Sequence, residues 1–439
     1  MIASPRGRIL RLGVTVPEED ADASVASPTV GSRAGVWRTV ALILTLPTFA
    51  GVFAYVIDAR LLYALAKVWP ILTTPLVVLA LWRLKLPYAP IVLVICTALL
   101  AVTPFIGVTQ LGNDTLGAVA SGAKIWPLTS ALSGAAVLWL IRPSPEDVQR
   151  AVVVLAAITC GFLVGAWFLA PDAAFAQTIE TTKVFLSDME RGRRINAPMM
   201  FGIFGLFLLN RSFWARPAIW KPVLIVLGLV AMFTIYKQRA QIGGTVVVLA
   251  LGAVLSFGRL KCPVLLVAAA VAIAAVVPAS LWLQDGVADS LGGSLSIRQI
   301  EAEAALRFLN DQPWRWIIGV GSATRIGGVT IGDIVGTPFF FPSDLGWLGV
   351  VFEYGMIGAG LMLALYLLAI RMAWRAAQDG HVIGRALFDY AVFLLVVSPV
   401  VSVVLQPGEV GTVMALSWWL TTGLRIPPAR PYAGSASEP

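Results

Sequence analysis

Apolar residues in this chain come in long runs, not in alternation. Runs of ~20 residues are the length that crosses the hydrocarbon of a bilayer as a helix. They fall roughly at 39–57, 61–82, 88–109, 119–141, 151–171, 197–213, 219–237, 241–257, 262–283, 346–370, 386–406 and 409–424. Backbone groups in lipid must be satisfied within each segment, so the runs predict helices. The expected fold is all-α, a polytopic transmembrane bundle of about twelve spans. The ~10-residue alternating strands of a membrane barrel are absent from the sequence. Pro70, Pro104, Pro127 and Pro399 lie inside runs, as kinks that neighbouring helices tolerate. Gly161 and Gly165 are spaced for close helix packing.

One polar stretch, 284–345, interrupts the pattern between two long runs. It carries Asp285, Asp289, Arg298, Glu301, Glu303, Arg307, Asp311, Arg315, Arg325, Asp333 and Asp344. An excursion this long is usually functional, and it reads as an active-site lid on one side of the membrane. Inside it, Ser296 to Asp311 predicts an amphipathic helix with Ile297, Ile300, Ala304 and Phe308 on one face. Ser296 is placed to cap its start and Glu303 to pair with Arg307. The polar ends, 1–37 and 426–439, read as disordered cytoplasmic tails flanking bundle segments 38–283 and 346–425.

Composition agrees with the pattern. The chain is 58% hydrophobic and 13% charged, against roughly a quarter charged in soluble domains. The net charge of +8 does not call for nucleic acid, because membrane proteins collect lysine and arginine in cytoplasmic loops. Arg83, Lys85, Arg142, Arg150, Arg211, Arg216, Lys221, Arg259, Lys261, Arg371, Arg375, Arg385 and Arg425 all fall on the side of the N-terminal tail. The positive-inside rule makes that side cytoplasmic, both termini inside and the long loop outside. Cys96, Cys160 and Cys262 lie in or beside apolar runs and give neither a disulfide framework nor a metal spacing. A single histidine, His381, leaves too few ligands for a zinc cluster and no histidine triad. No metal and no cofactor are expected.

Basic residues on the outer side run against the topogenic bias. Arg191, Arg193 and Arg194 precede the sixth run, Lys237 and Arg239 occupy the tight turn before the eighth, and Arg298 opens the loop helix. Arginine pairs bidentately with phosphate oxygens and is always charged, so these residues suit a phosphorylated lipid arriving from the membrane. Interfacial snorkelling is the plainer alternative. Lys67, Lys124 and Glu353 are ionisable residues within runs, expensive in lipid and functional candidates by default. Lys124 lies near the outer end of its run, within reach of the same phosphate site, and Glu353 lies below Asp344. Either mutual neutralisation or interfacial placement also accounts for them.

Four stretches resemble the O-antigen ligase / O-antigen polymerase superfamily. They are Arg194-Ile-Asn196-Ala-Pro198, Gln238-Arg239-Ala240-Gln241-Ile242-Gly243, Arg298 through Pro313 to Ile318-Gly-Val-Gly321, and Ser343-Asp344 followed by Tyr354-Gly-Met-Ile-Gly358. The resemblance covers roughly Lys183 to Arg371. It implies a bacterial inner-membrane glycosyltransferase acting on a glycan carried by undecaprenyl pyrophosphate. It also implies roles for Arg239 and Arg298, and less directly Arg194, in binding the pyrophosphate. A pyrophosphate leaving group needs no general acid, and cations suffice to stabilise the developing charge. Asp344 is the candidate general base, with Glu301 and Glu303 as weaker ones. Ligases of the family usually carry a histidine in this loop, and here the position reads Ser343-Asp344. The expectation is therefore a polysaccharide polymerase extending a growing polysaccharide acceptor. A ligase with another acceptor and a transporter of a lipid-linked sugar are the alternatives. Chain-length regulators and export proteins are conceivable partners.

Overall fold

The structure is a computed structural model and describes residues 33–56, 59–112, 114–175, 184–188, 192–256, 294–321, 331–337, 340–400 and 407–422. It is mostly helical. The first half contains α1 (Arg33–Phe49), α2 (Arg60–Leu72), α3 (Thr74–Arg83), α4 (Ala89–Leu111), α5 (Thr115–Ser121), α6 (Ser130–Ile141) and α7 (Pro145–Leu169). A hairpin follows, β1 (Phe185–Asp188) paired antiparallel with β2 (Gly192–Ile195). Then come α8 (Met200–Ala215), α9 (Trp220–Ala231), α10 (Arg239–Val254), α11 (Ser294–Asn310), α12 (Trp314–Ile318), α13 (Ile331–Val335), α14 (Trp347–Gln378), α15 (Val382–Val397) and α16 (Pro407–Thr421).

Local sequence explains where helices begin and end. At α7, Ser144 Oγ accepts from the Asp147 N–H at 3.2 Å and Asp147 Oδ2 accepts from the Ser144 N–H at 3.0 Å. This capping box, with Pro145 in the first turn, starts the helix ahead of the apolar run. α9 passes into a π turn at Met232–Tyr236 and stops at Lys237, whose φ of 57° is left-handed.

The apolar runs within the described residues form helices, but most are shorter than the runs. Four helical segments are long and apolar enough to cross a membrane: Arg60–Arg83, α4, α7 and α14. A fifth is the broken pair Thr115–Lys124 and Trp126–Ile141, bent by 56°. Among the described residues there are therefore four or five such segments where the whole sequence pattern predicts about twelve. The remaining long helices, α1, α8, α10, α15 and α16, have 15 to 17 residues. At 1.5 Å per residue they run only ~25 Å. The run 262–283, residues 1–32 and residues 426–439 lie outside the described residues, whereas residues 33–37, expected in the N-terminal tail, begin α1. The hairpin is a second departure from the all-α expectation, too short to leave an alternating pattern.

α16 sits at the centre, with every residue from Pro407 to Leu420 buried. It packs on α6, whose buried face is mostly Ser, Ala and Gly, which lets helices approach closely. Trp418 Nε1 donates to the Pro87 carbonyl at 2.8 Å and the Tyr390 O–H donates to Glu409 Oε2 at 2.7 Å.

Two of the supposed loop cations are structural. Arg211 lies inside α8 and is buried, donating to both Asp389 oxygens at 2.6 Å, to the Gly252 carbonyl at 2.9 Å and to Ser256 Oγ at 3.2 Å. Lys221 is buried and donates from Nζ to the carbonyls of Ser212 (2.9 Å) and Arg216 (2.6 Å). It thereby closes the C-terminal end of α8, where carbonyls lack helical partners.

α11 is helical as predicted, but its buried face is rotated. Glu301, Ala304, Ala305 and Leu309 face inward, while Ile297 and Ile300 are 51% and 55% exposed. The inward set packs with Leu111, Val320, Ile331, Phe340 and Phe352, so contact with α14 and the 340–345 turn decides the face. Glu303 and Arg307 lie on the exposed side.

Candidate functional site

The contacts sort into two ends of the bundle. Arg211 with Asp389, Trp418 with Pro87, and Tyr88 beside Arg371 mark one end. Lys124 with Glu353 and Trp347 with Ser398 (2.9 Å) mark the other. The predicted site residues belong to the second end, in three sets.

The first set is built on the hairpin. Register places Arg193 opposite Ser187 and Arg194 opposite Leu186. Arg193 forms an ion pair with Asp172, and its guanidinium lies 5.9 Å from the Trp167 ring and 5.6 Å from Phe175. Lys237 Nζ donates to the Arg193 carbonyl at 2.9 Å and lies 5.5 Å from the same Trp167 ring. The Gln238 amide donates to the Asn196 side chain. Stretches 194–198 and 238–243, far apart in sequence, thus meet here. Arg194 is half-buried, and Arg239 is exposed at the first residue of α10. The Tyr236 O–H donates to Gln241 Oε1 at 2.7 Å and fixes that turn from inside. Arg191 lies outside the described residues.

The second set is the ion pair of Lys124 with Glu353, side chains 25% and 5% exposed. Lys67 is close enough to Lys124 for their charges to interact. Glu353 stands where α14 is broken: Gly355 has φ 65° and ψ −179°. The carbonyls of Phe352 and Glu353 accept instead from the N–H groups of Val320 (2.8 Å) and Gly321 (2.9 Å). Gly319 has φ 81°, and a Cβ there would lie 2.6 Å from the Glu353 carbonyl oxygen. The Gly-Val-Gly stretch is therefore a strap across the break, and glycine is needed because backbone meets backbone.

The third set lies in the long loop. Glu301 is 2% exposed and its Oε1 accepts from the Phe341 N–H at 3.1 Å. Burial pushes its carboxyl above the ordinary range; the Phe341 N–H and Arg298 oppose the shift and the Asp344 charge adds to it. Asp344 is exposed on the 3-10 turn Pro342–Leu345, with Arg298 half-buried on α11.

Chemically, this end offers exposed or half-buried cations, Arg194, Arg239 and Arg298, and two carboxylates, Glu301 and Asp344. Arg193 and Lys124 already face acidic partners. Among the described residues, no three His, Cys, Asp or Glu side chains gather as a metal site would require. Asp389 and Glu409 escaped the sequence reading, although both stand inside or at the edge of apolar runs, where any carboxylate is a signal. Asp172 left no signal, since only the hairpin brings it to Arg193.

The long apolar helices point to a multi-pass membrane protein. No protein-family model matches the chain, and a search of curated proteins finds no match.

Proposed function

We propose that the protein is a membrane glycosyltransferase that polymerises glycan repeat units carried on undecaprenyl pyrophosphate at the outer face of a bacterial inner membrane. The reading includes about twelve spans with both termini cytoplasmic. What supports it is that exposed or half-buried arginines, Arg194 and Arg239 by the hairpin and Arg298 beside Glu301 and Asp344 in the loop, belong to the same end of an apolar bundle. In the reaction, the acceptor sugar hydroxyl gives its proton to the Asp344 carboxylate. Its oxygen then forms a bond to the anomeric carbon of the donor. The carbon–oxygen bond to pyrophosphate breaks on the opposite side, with inversion, and the electron pair leaves on the pyrophosphate oxygen. Arg239 and Arg298 stabilise that charge, with Arg194 in support. Arg193, Lys237 and Lys124 line the approach of the lipid phosphates, and Glu353 orients Lys124.

The test uses purified protein in liposomes with a synthetic undecaprenyl-pyrophosphate oligosaccharide, wild type beside Arg239→Ala. A ladder of longer lipid-linked glycans that depends on Arg239 supports polymerisation. Single transfer to an added lipid A-core acceptor would move the assignment to a ligase, which the missing loop histidine disfavours. Movement of the lipid across the bilayer without transfer would replace the enzyme by a transporter.

A further inference from the structure

We propose that Glu301 is a positioning residue for Asp344: its carboxylate fixes the turn that carries Asp344, and its charge sets the pH range over which Asp344 accepts a proton. The inference rests on the polymerase reading.

A carboxylate is out of place at position 301. Its neighbours on the inward face of α11 are Ala304, Ala305 and Leu309, and an apolar side chain would fill the site without the cost of burying a charge. What the carboxylate gains is one peptide unit of the neighbouring turn. Glu301 Oε1 accepts from the Phe341 N–H at 3.1 Å. The Phe341 carbonyl in turn accepts from the Asp344 N–H at 2.9 Å. A chain of two hydrogen bonds thus runs from the Glu301 carboxylate through one residue to the backbone of Asp344. No other segment need move for Asp344 to be placed.

The charges around Glu301 can be named. Asp344 faces it from the turn, and Arg298 from one helical turn earlier on α11. On the other packed elements among the described residues, Arg315 of α12 pairs with Asp311 and Glu353 of α14 pairs with Lys124. These two and Asp333 of α13 are not among the groups that act on Glu301. Two carboxylates that interact titrate as a pair, and each disfavours ionisation of the other. Ionised Glu301 therefore makes Asp344 the stronger base, and Arg298 limits the effect.

The test is the pH profile of glycan transfer for wild type, Glu301→Gln and Glu301→Asp. Glutamine keeps an oxygen for the Phe341 N–H and removes the charge; aspartate keeps the charge and draws it back from the Phe341 N–H. The acid limb of Glu301→Gln is expected about one unit lower than wild type, a tenfold change in proton concentration. Glu301→Asp is expected to lose transfer, because the turn that carries Asp344 is no longer held. An acid limb in Glu301→Gln that matches wild type overturns the inference. If Glu301→Gln does not fold, wild-type transfer by Glu301→Asp overturns it alone.

If wild type transfers no glycan, the polymerase reading fails separately, and the charge coupling is read from unfolding. A raised carboxyl binds protons more tightly folded than unfolded, so its penalty is absent at low pH and grows as pH rises. The stability of Glu301→Gln relative to wild type should then increase as pH rises through the ordinary carboxylate range, level off above the raised folded value, and change less in an Asp344→Asn background. A gap that is independent of pH overturns the coupling.

Discussion

Replacing Asp389 by Asn should destabilise the fold far more than replacing Arg211 and Asp389 together. Arg211 and Asp389 have side chains 5% and 0% exposed, so neither charge has water to fall back on. Asp389→Asn keeps the shape and one acceptor but removes the negative charge, leaving the guanidinium with Gly252 and Ser256 as its remaining partners. Two charge-assisted hydrogen bonds are weakened, each worth about 1.5–3 kcal/mol. Removing one partner of a buried pair costs about 3–5 kcal/mol by the same logic. The double variant Arg211→Met/Asp389→Leu buries no charge and should lie within about 1 kcal/mol of wild type, since apolar replacement of a whole buried pair is often neutral. The assay is reversible unfolding of purified protein in detergent micelles, followed by tryptophan fluorescence, as a double-mutant cycle in which Arg211→Met and Asp389→Leu are the single variants and Asp389→Asn is measured beside them. The contrast is Asp172→Asn at the Arg193 pair, whose side chains are 49% and 87% exposed; screening holds its cost below about 1 kcal/mol. A cost for Asp389→Asn below about 1 kcal/mol, or a double variant as unstable as the sum of the singles, would refute the claim that this pair is a desolvated lock.

Three other outcomes follow from the geometry. Gly319→Ala should lower the unfolding midpoint and abolish glycan transfer, because its Cβ would lie 2.6 Å from the Glu353 carbonyl oxygen at a φ of 81°; wild-type-like unfolding and transfer would show that the strap tolerates a side chain. Glu353→Gln should cost about 2–4 kcal/mol by leaving Lys124 without its counter-charge, and most of that loss should be recovered in Lys124→Met/Glu353→Leu, read by the same unfolding assay. Lys237→Gly should leave stability equal or slightly raised, by about 0.5–1 kcal/mol, since φ is 57° there, while weakening binding of a lipid pyrophosphate in a sedimentation assay with vesicles; a clear loss of stability would mean that its contact with Arg193 outweighs the backbone strain.

Helices were legible in this sequence because apolar runs are long and continuous, and their order was legible with them. Their lengths were not. A run such as 219–237 continues through Met232–Tyr236 without a charged residue, a glycine or a proline, so nothing in composition marks the π turn. The face of α11 was misread for a related reason. Ile297 and Ile300 are as apolar as Ala304, and only the position of Phe352 and Phe340 decides which flank is covered. At the site, residue types and segments were legible, but pairing was not. Asn196 and Gln238 stood in separate stretches until the side-chain contact joined them. Arg211 looked like a loop cation because its partner Asp389 is distant in sequence and surrounded by apolar residues. Glu301 looked weaker than Asp344 because burial, which gives it weight, belongs to the fold alone.

The strap also bears on how the loop can act. Breaking α14 at Gly355 frees the carbonyls of Phe352 and Glu353 near the end of an apolar helix, where water is scarce and polar groups need protein partners. Val320 and Gly321 supply those partners. Lifting this part of the loop would leave two carbonyls unpaired, at about 1–3 kcal/mol each, and would expose Val320, Leu309 and Phe352, which are fully buried. Residues 301–321 therefore behave as a fixed wall of the site, and the chain of hydrogen bonds from Glu301 to Asp344 is anchored to that wall. On the proposed function, movement that admits a bulky lipid-linked glycan must come from segments the strap does not hold. The start of α11, with Ile297 and Ile300 exposed and Arg298 half-buried, is one described segment outside the strap. On the proposed function, Arg298 on α11 serves substrate capture and Asp344 on the Pro342–Leu345 turn serves proton transfer, so the two tasks fall on different segments.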